Sequence, residues 1–252
     1  MNPLTPFKRI LILPLLIALT FVAVAPATAV LPPGNTVAQW NKIAEDTVVG
    51  SGTFQPEGFI YMAYPSAAVY DAVVAIEGGF EPYGPPITAP PGASVDCAVV
   101  EAAYRTLRYY FSSFSGLVAN LDAYYAEALF NFGGCTADGG AGTAVGLQAA
   151  NDIIALRTGD GRMTPINVTS SFPTLPPGPG VWRLTPPFAA PQTPWVGDVR
   201  PFVLQSLDQF LPDPPPSLQS DEWVEAFNEV KAYGEATSSV RSDEQTAIAK
   251  FY

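Results

Sequence analysis

The side chains of this sequence that could carry chemistry are mainly carboxylates, because the 252-residue chain contains no histidine. That absence removes Ser-His-Asp and Cys-His nucleophilic catalysis, imidazole acid-base chemistry and histidine-ligated metal centres together. Asp71, Glu101, Asp122 and Asp152 stand within or at the edges of apolar segments, where two carboxyl groups could pair as general acid and general base. Isolated acids on helices usually face solvent or satisfy a neighbour, and no spacing promotes one pair over another. Two cysteines, Cys97 and Cys135, cannot build a zinc site alone; they either form a disulfide or stand as separately buried thiols. The stretch "DGGAGTAVG", starting at Asp138, has the composition of a phosphate-binding loop, but no strand precedes it and no Lys-Ser/Thr follows. Asn167-Val168-Thr169 is a glycosylation sequon in a Pro-rich loop, meaningful only in a eukaryotic exported protein.

The elements that must position these groups read as helices. An apolar fraction of 48% suffices for a core, and 27 prolines with 21 glycines cluster between apolar segments as long connections. A formal net charge of −11 argues against nucleic acid or an anionic membrane surface as partner. Residues 1–29 have the three parts of a secretion signal: Lys8 and Arg9, an apolar run from Ile10 to Ala25, and Ala27-Thr28-Ala29 as the cleavage site. The mature chain is then 30–252, secreted to an extracellular or periplasmic space. There a Cys97–Cys135 disulfide could persist and contribute about 3–4 kcal/mol in the chain-entropy model. No later segment reads as apolar enough for a stable membrane anchor.

Thr36 with Gln39 reads as a capping box for a helix whose face is Val37, Trp40, Ala44 and Val48, ended by Gly50-Ser51-Gly52. Phe59 to Ile76, apolar nearly all round, should be the central buried helix, kinked at Pro65 and stopped by Gly78-Gly79. Ser94 caps a third helix reaching Phe111; Leu117 to Phe132 forms a fourth and Ala141 to Leu156 a fifth. Gly142 and Gly146 on the fifth predict close helix packing. Gly159 to Pro201 has no sustained period and reads as a wrap anchored by Trp182, Phe188, Trp195 and Phe202. Ser220 then caps a helix carrying Trp223, Phe227 and Val230, and Ser242 with Gln245 is a capping box for a last one with Ile248, Phe251 and Tyr252. No strand alternation competes, so the fold class is all-α, a helical bundle with long Pro-rich connections.

Seven segments in order, "VAQWNKIAEDTV", "AAVYDAVVAIEGGFEPY", "LDAYYAEAL", "VGLQAANDIIALRTGDG", "PPFAAPQTPWVGDVRPFVL", "FLPDPPPSL" and "RSDEQTAIAKFY", together resemble the vanadium-dependent haloperoxidases, relatives of the phosphatidic acid phosphatase type 2 superfamily. The resemblance covers nearly all of 30–252 and implies the N-terminal half of a haloperoxidase-like helical fold, truncated at its C-terminal end. It implies peroxide-dependent halide oxidation for a full-length member, with a same-superfamily phosphatase or a non-catalytic helical binding or structural protein as alternatives. The family's vanadate ligands are a lysine followed by Arg-Pro, a Pro-Ser-Gly-His segment, and a later Arg and His. None has a counterpart here: Arg200-Pro201 is an Arg-Pro pair, but Thr193 stands where the lysine would be. No catalytic, cofactor-binding or metal residue is therefore assigned in this chain, and vanadate is expected only for a full-length member. The expected partner is the missing C-terminal half. Without it the apolar faces left exposed should drive aggregation or a homo-oligomer.

Overall fold

Seven α-helices form the regular structure of the computed structural model, which describes residues 29–163, 176, 178–187, 191–237 and 240–251; no strand occurs among them. They are α1 (Thr36–Gly50), α2 (Gln55–Glu77), α3 (Val95–Tyr110), α4 (Ser115–Asn131), α5 (Ala141–Arg157), α6 (Asp221–Gly234) and α7 (Asp243–Phe251), with short 3₁₀ turns at Gly133–Cys135 and Pro194–Asp198. The protein is thus all-α. Residues 1–28, including most of the secretion-signal reading, and Asn167, Phe188 and Tyr252 lie outside the described residues. Internal contacts divide the chain into two units, one of residues up to Ser51 with Pro65–Asn151, the other of Gly52–Tyr64 with Asp152–Tyr252.

In the first unit α3 is the central helix, packed against α1 and α4. Its residues from Cys97 to Tyr104, with Thr106 and Leu107, are all buried. This corrects the expectation that the Phe59 to Ile76 segment is buried all round: α2 buries Tyr64, Ala68 and Ala72 but exposes Phe59 and Tyr70. At 23 residues α2 does meet the length and composition of a membrane span, contrary to the sequence reading; nearly half of its most apolar window is buried within the fold. The N-cap of α1 is Asn35, whose side chain accepts from the Ala38 amide at 2.9 Å. Thr36, expected as the cap, is instead buried and donates its hydroxyl to Asp96 at the start of α3.

Ser94 caps α3 as expected, accepting from the Cys97 amide. Cys97 and Cys135 are joined in a disulfide that ties the first turn of α3 to the 3₁₀ turn after α4. Against α3 lies α5 at backbone contact: a Cβ on Gly146 would stand 2.3 Å from the Ala98 carbonyl oxygen, and one on Gly142 2.3 Å from that of Ser94. Glycine is required at both positions because only a missing side chain permits this approach.

In the second unit the segment after α5 turns at Asp160-Gly161, and Gly161, at φ +93°, abuts the Asp198 carbonyl. Of the four expected anchors of the wrap, Trp195 is buried and Phe202 half-buried, while Trp182 is exposed. Ser220 caps α6 through the Trp223 amide. Ser242 and Gln245 form the reciprocal capping box of α7, each backbone amide bonded to the other's side chain at 2.8 and 3.1 Å. Arg241 joins the two helices, donating to the carbonyls of Tyr233, Glu235 and Ala236 and to the Thr246 hydroxyl. Neither α6 nor α7 has a buried residue.

Candidate functional site

Two of the four carboxylates singled out by sequence, Glu101 and Asp122, come together at the α3–α4 contact. Residues 101, 104, 105 and 108 fall within two turns of α3, so their side chains share the side that meets α4. There Tyr104 stacks on Tyr125 with ring centroids 4.0 Å apart, and the edge of Trp40 meets Tyr104 at 6.4 Å. Each phenol donates to a carboxylate: Tyr125 to Glu101 at 2.5 Å, Tyr104 to Asp122 at 2.7 Å. Arg105 bonds Glu101 at 2.6 Å and lies over both rings, while Arg108 bonds Asp122 at 3.0 Å.

The electrostatics of this cluster fix its protons. Burial, with the hydrogen bond and negative charge of Glu101, pushes the Tyr125 phenol up to about 12. Burial also raises Tyr104, aided by its bond to Asp122. For Asp122 the effect of burial is upward, but the bonds from Tyr104 and Arg108 and the arginine charges outweigh it and hold the carboxyl below its usual range. The phenols therefore stay protonated and Asp122 ionised at neutral pH. Glu101, 1% exposed, has both oxygens engaged. A general acid or base needs a suitable proton affinity and a free approach for substrate; buried Glu101 lacks the approach, and Asp122, though its side chain is 44% exposed, is held ionised by Tyr104 and Arg108, so the cluster's evident role is to tie α3 to α4.

The remaining sequence candidates are separate from it. Asp71, 2% exposed, accepts the amides of Tyr83 and Gly84 at 2.6 and 2.9 Å and pins the Pro-rich connection after α2. Asp152 is half-buried in the second unit, and its Oδ2 is buried with no hydrogen-bond partner among the described residues. The "DGGAGTAVG" loop is closed to phosphate by the chain's own anion. Asp138 accepts the amides of Ser94, Gly140 and Gly142, and those backbone donors hold its carboxyl below the usual range. A depression of about 280 Å³ opens over the disulfide between Gly92, Ser94, Phe132 and Ala137, with Asp138 as its ionisable group.

A buried ionic group in the second unit was not singled out by sequence. Arg157 and Asp160, 3% and 5% exposed, pair at 2.9 Å; Tyr64 donates to Asp160 at 2.8 Å, and the guanidinium lies 4.0 Å from the Phe202 ring centroid. Arg157 also donates to the carbonyls of Arg200 and Pro201. The available signal was "RTGDG": a cation at the end of an apolar helix, followed by an acid between two glycines, is a turn that can fold back on its own arginine.

Vanadate, the group implied by the resemblance, does not fit these residues. Holding a trigonal oxyanion takes several cationic donors converging on one point. Arg105, Arg108 and Arg157 are instead bonded to Glu101, Asp122 and Asp160, and the chain has no imidazole to offer. Among the described residues no group of three or more His, Cys, Asp or Glu side chains could hold a metal ion. Comparison with protein-family models, curated proteins and solved structures finds no match to this chain.

Proposed function

We propose that the chain is the N-terminal part of a secreted vanadium-dependent haloperoxidase-like protein, acting as the helical platform for a second half that carries the vanadate ligands. The observation that carries this reading is the absence of any buried residue on α6 and α7, although Trp223, Phe227, Val230 and Ile248 recur at helical spacing. Amphipathic helices of this kind are built to be covered. Further support comes from the ordered resemblance along 30–252 and the all-α architecture. The disulfide fits an oxidising compartment, in keeping with the secretion signal.

On this reading the described residues supply scaffold and not catalysis, and the chemistry awaits donors from elsewhere. The test is to read the genomic locus past the codon for Tyr252, then assay the full product with peroxide and bromide or chloride, with and without vanadate. Vanadate-dependent halide oxidation is the expected result. Phosphate-ester hydrolysis without added vanadate would move the protein to the phosphatase branch. A stop codon at that point, with neither activity, would overturn the proposal.

A further inference from the structure

We infer that the exposed face of α6 and α7 docks a basic amphipathic helix. On α6 the stripe Trp223, Phe227 and Val230 recurs at i, i+4 and i+7, with Phe227 57% and Val230 70% exposed. At 100° per residue Ala226 and Tyr233 flank that stripe on one side, with Glu222 and Glu229 beyond them and Glu225 near the far side of the helix, while Lys231 stands beside Phe227 on the other. On α7 Glu244 stands one turn before Ile248, which is 53% exposed. An apolar row with carboxylates along one side, in a segment of net negative charge, suits a helix whose apolar row is edged by lysine or arginine.

The surrounding charge separates this occupant from a second copy of the chain. Residues 203–251 hold nine carboxylates against three cations, and one of those cations, Arg241, is turned onto backbone carbonyls between the helices. Two copies meeting here would each bring a net charge of −6 from this segment, nine carboxylates less three cations, a repulsive arrangement. A cationic partner gains from the same charge. This inference rests on the reading that the face is built to be covered, and adds the chemistry of what covers it.

The test uses the full mature chain and two labelled probe peptides about 18 residues long, enough to form a helix when bound. One is of leucine and lysine, the other of leucine and glutamate with the same apolar pattern. Fluorescence anisotropy should show the lysine peptide binding at least about tenfold more tightly, with affinity falling as salt rises. Replacing Phe227→Ser with Val230→Ser should weaken it by about tenfold or more. Glu222→Gln, Glu225→Gln and Glu229→Gln together should remove most of the preference and of the salt dependence. These side chains are exposed, so circular dichroism should show the fold unchanged. Equal binding of both peptides, binding of neither, or sedimentation as a dimer that Phe227→Ser and Val230→Ser dissolve would each overturn the inference. A locus without a haloperoxidase-like continuation, together with selective lysine-peptide binding, would sink the family reading alone. A continuation whose covering helix is acidic would sink this inference alone.

Discussion

Adding one methyl group to a glycine should have opposite effects at two helical positions. Alanine forms helix better than glycine by about 1 kcal/mol, so Gly116→Ala, on α4 with open space around its Cβ position, should stabilise the protein by up to that amount. At Gly146 the same methyl would stand 2.3 Å from the Ala98 carbonyl oxygen, 2.9 Å from Glu101 Cβ and 3.0 Å from the Ala102 amide nitrogen. Ordinary contact begins near 3.4 Å, and two of the three obstacles are backbone, which cannot rotate aside. The α3–α5 separation must open by roughly 1 Å, and overpacking of this kind costs up to about 3 kcal/mol. Set against the propensity gain, Gly146→Ala should lose about 2 kcal/mol, lowering Tm by roughly 4–8 °C for a chain of this size, while Gly116→Ala raises it by roughly 2–4 °C. Thermal and urea unfolding of the mature chain, disulfide intact, measure both. Should Gly146→Ala melt at or above the parent, the close α3–α5 approach is wrong.

Reducing the Cys97–Cys135 disulfide, or replacing both residues with alanine, should cost about 3–4 kcal/mol in urea unfolding, from the chain entropy of the 38-residue separation it spans; a loss under about 1 kcal/mol would count against that loop being constrained. Tyr125 should ionise near pH 12 in the folded protein, read by phenolate absorbance, and Glu101→Gln should bring that titration down toward 10. The sign follows from its raised value: the folded state holds the phenol proton more tightly, so this contribution to stability is full below about pH 10 and is lost as pH rises toward 12. Arg157→Leu removes the cation facing buried Asp160 and should destabilise by about 3–5 kcal/mol; a shift below about 1 kcal/mol would show that the pair is not buried as described.

Local signals carried much of the fold. Ser94, Ser220 and the Ser242–Gln245 box cap the helices they were expected to cap, because a short polar side chain followed by an apolar period leaves few alternatives. Gly142 and Gly146 were legible as packing residues because two glycines one turn apart share a face. Asn35 was missed as a cap since its neighbour Thr36 also fits, and only the tertiary bond from Thr36 to Asp96 decides between them. The exchange of α2 for α3 as the central helix has a similar cause. Hydrophobicity ranks α2 first, but burial is set by what packs on a helix, and α1 and α4 pack on α3, burying it from Cys97 to Tyr104 with Glu101 included. Trp182, expected as an anchor, is exposed because aromatic character alone does not specify what lies opposite it.

Carboxylates in apolar segments invited an acid-base reading, and the side-chain partners explain why proximity is not enough. Glu101 and Asp122 are brought together, yet each arrives with its own arginine and its own tyrosine, so both are engaged within the protein. Asp138 and Asp71 are spent on backbone amides, and Asp160 on Arg157 and Tyr64. A catalytic carboxylate is one whose partner is the substrate, and these have protein partners already. Among the described residues Asp152 Oδ2 is buried without a hydrogen-bond partner, and Phe227, Val230 and Ile248 stand exposed on α6 and α7. On the proposed reading, those exposed apolar residues are where a covering partner is to be sought first.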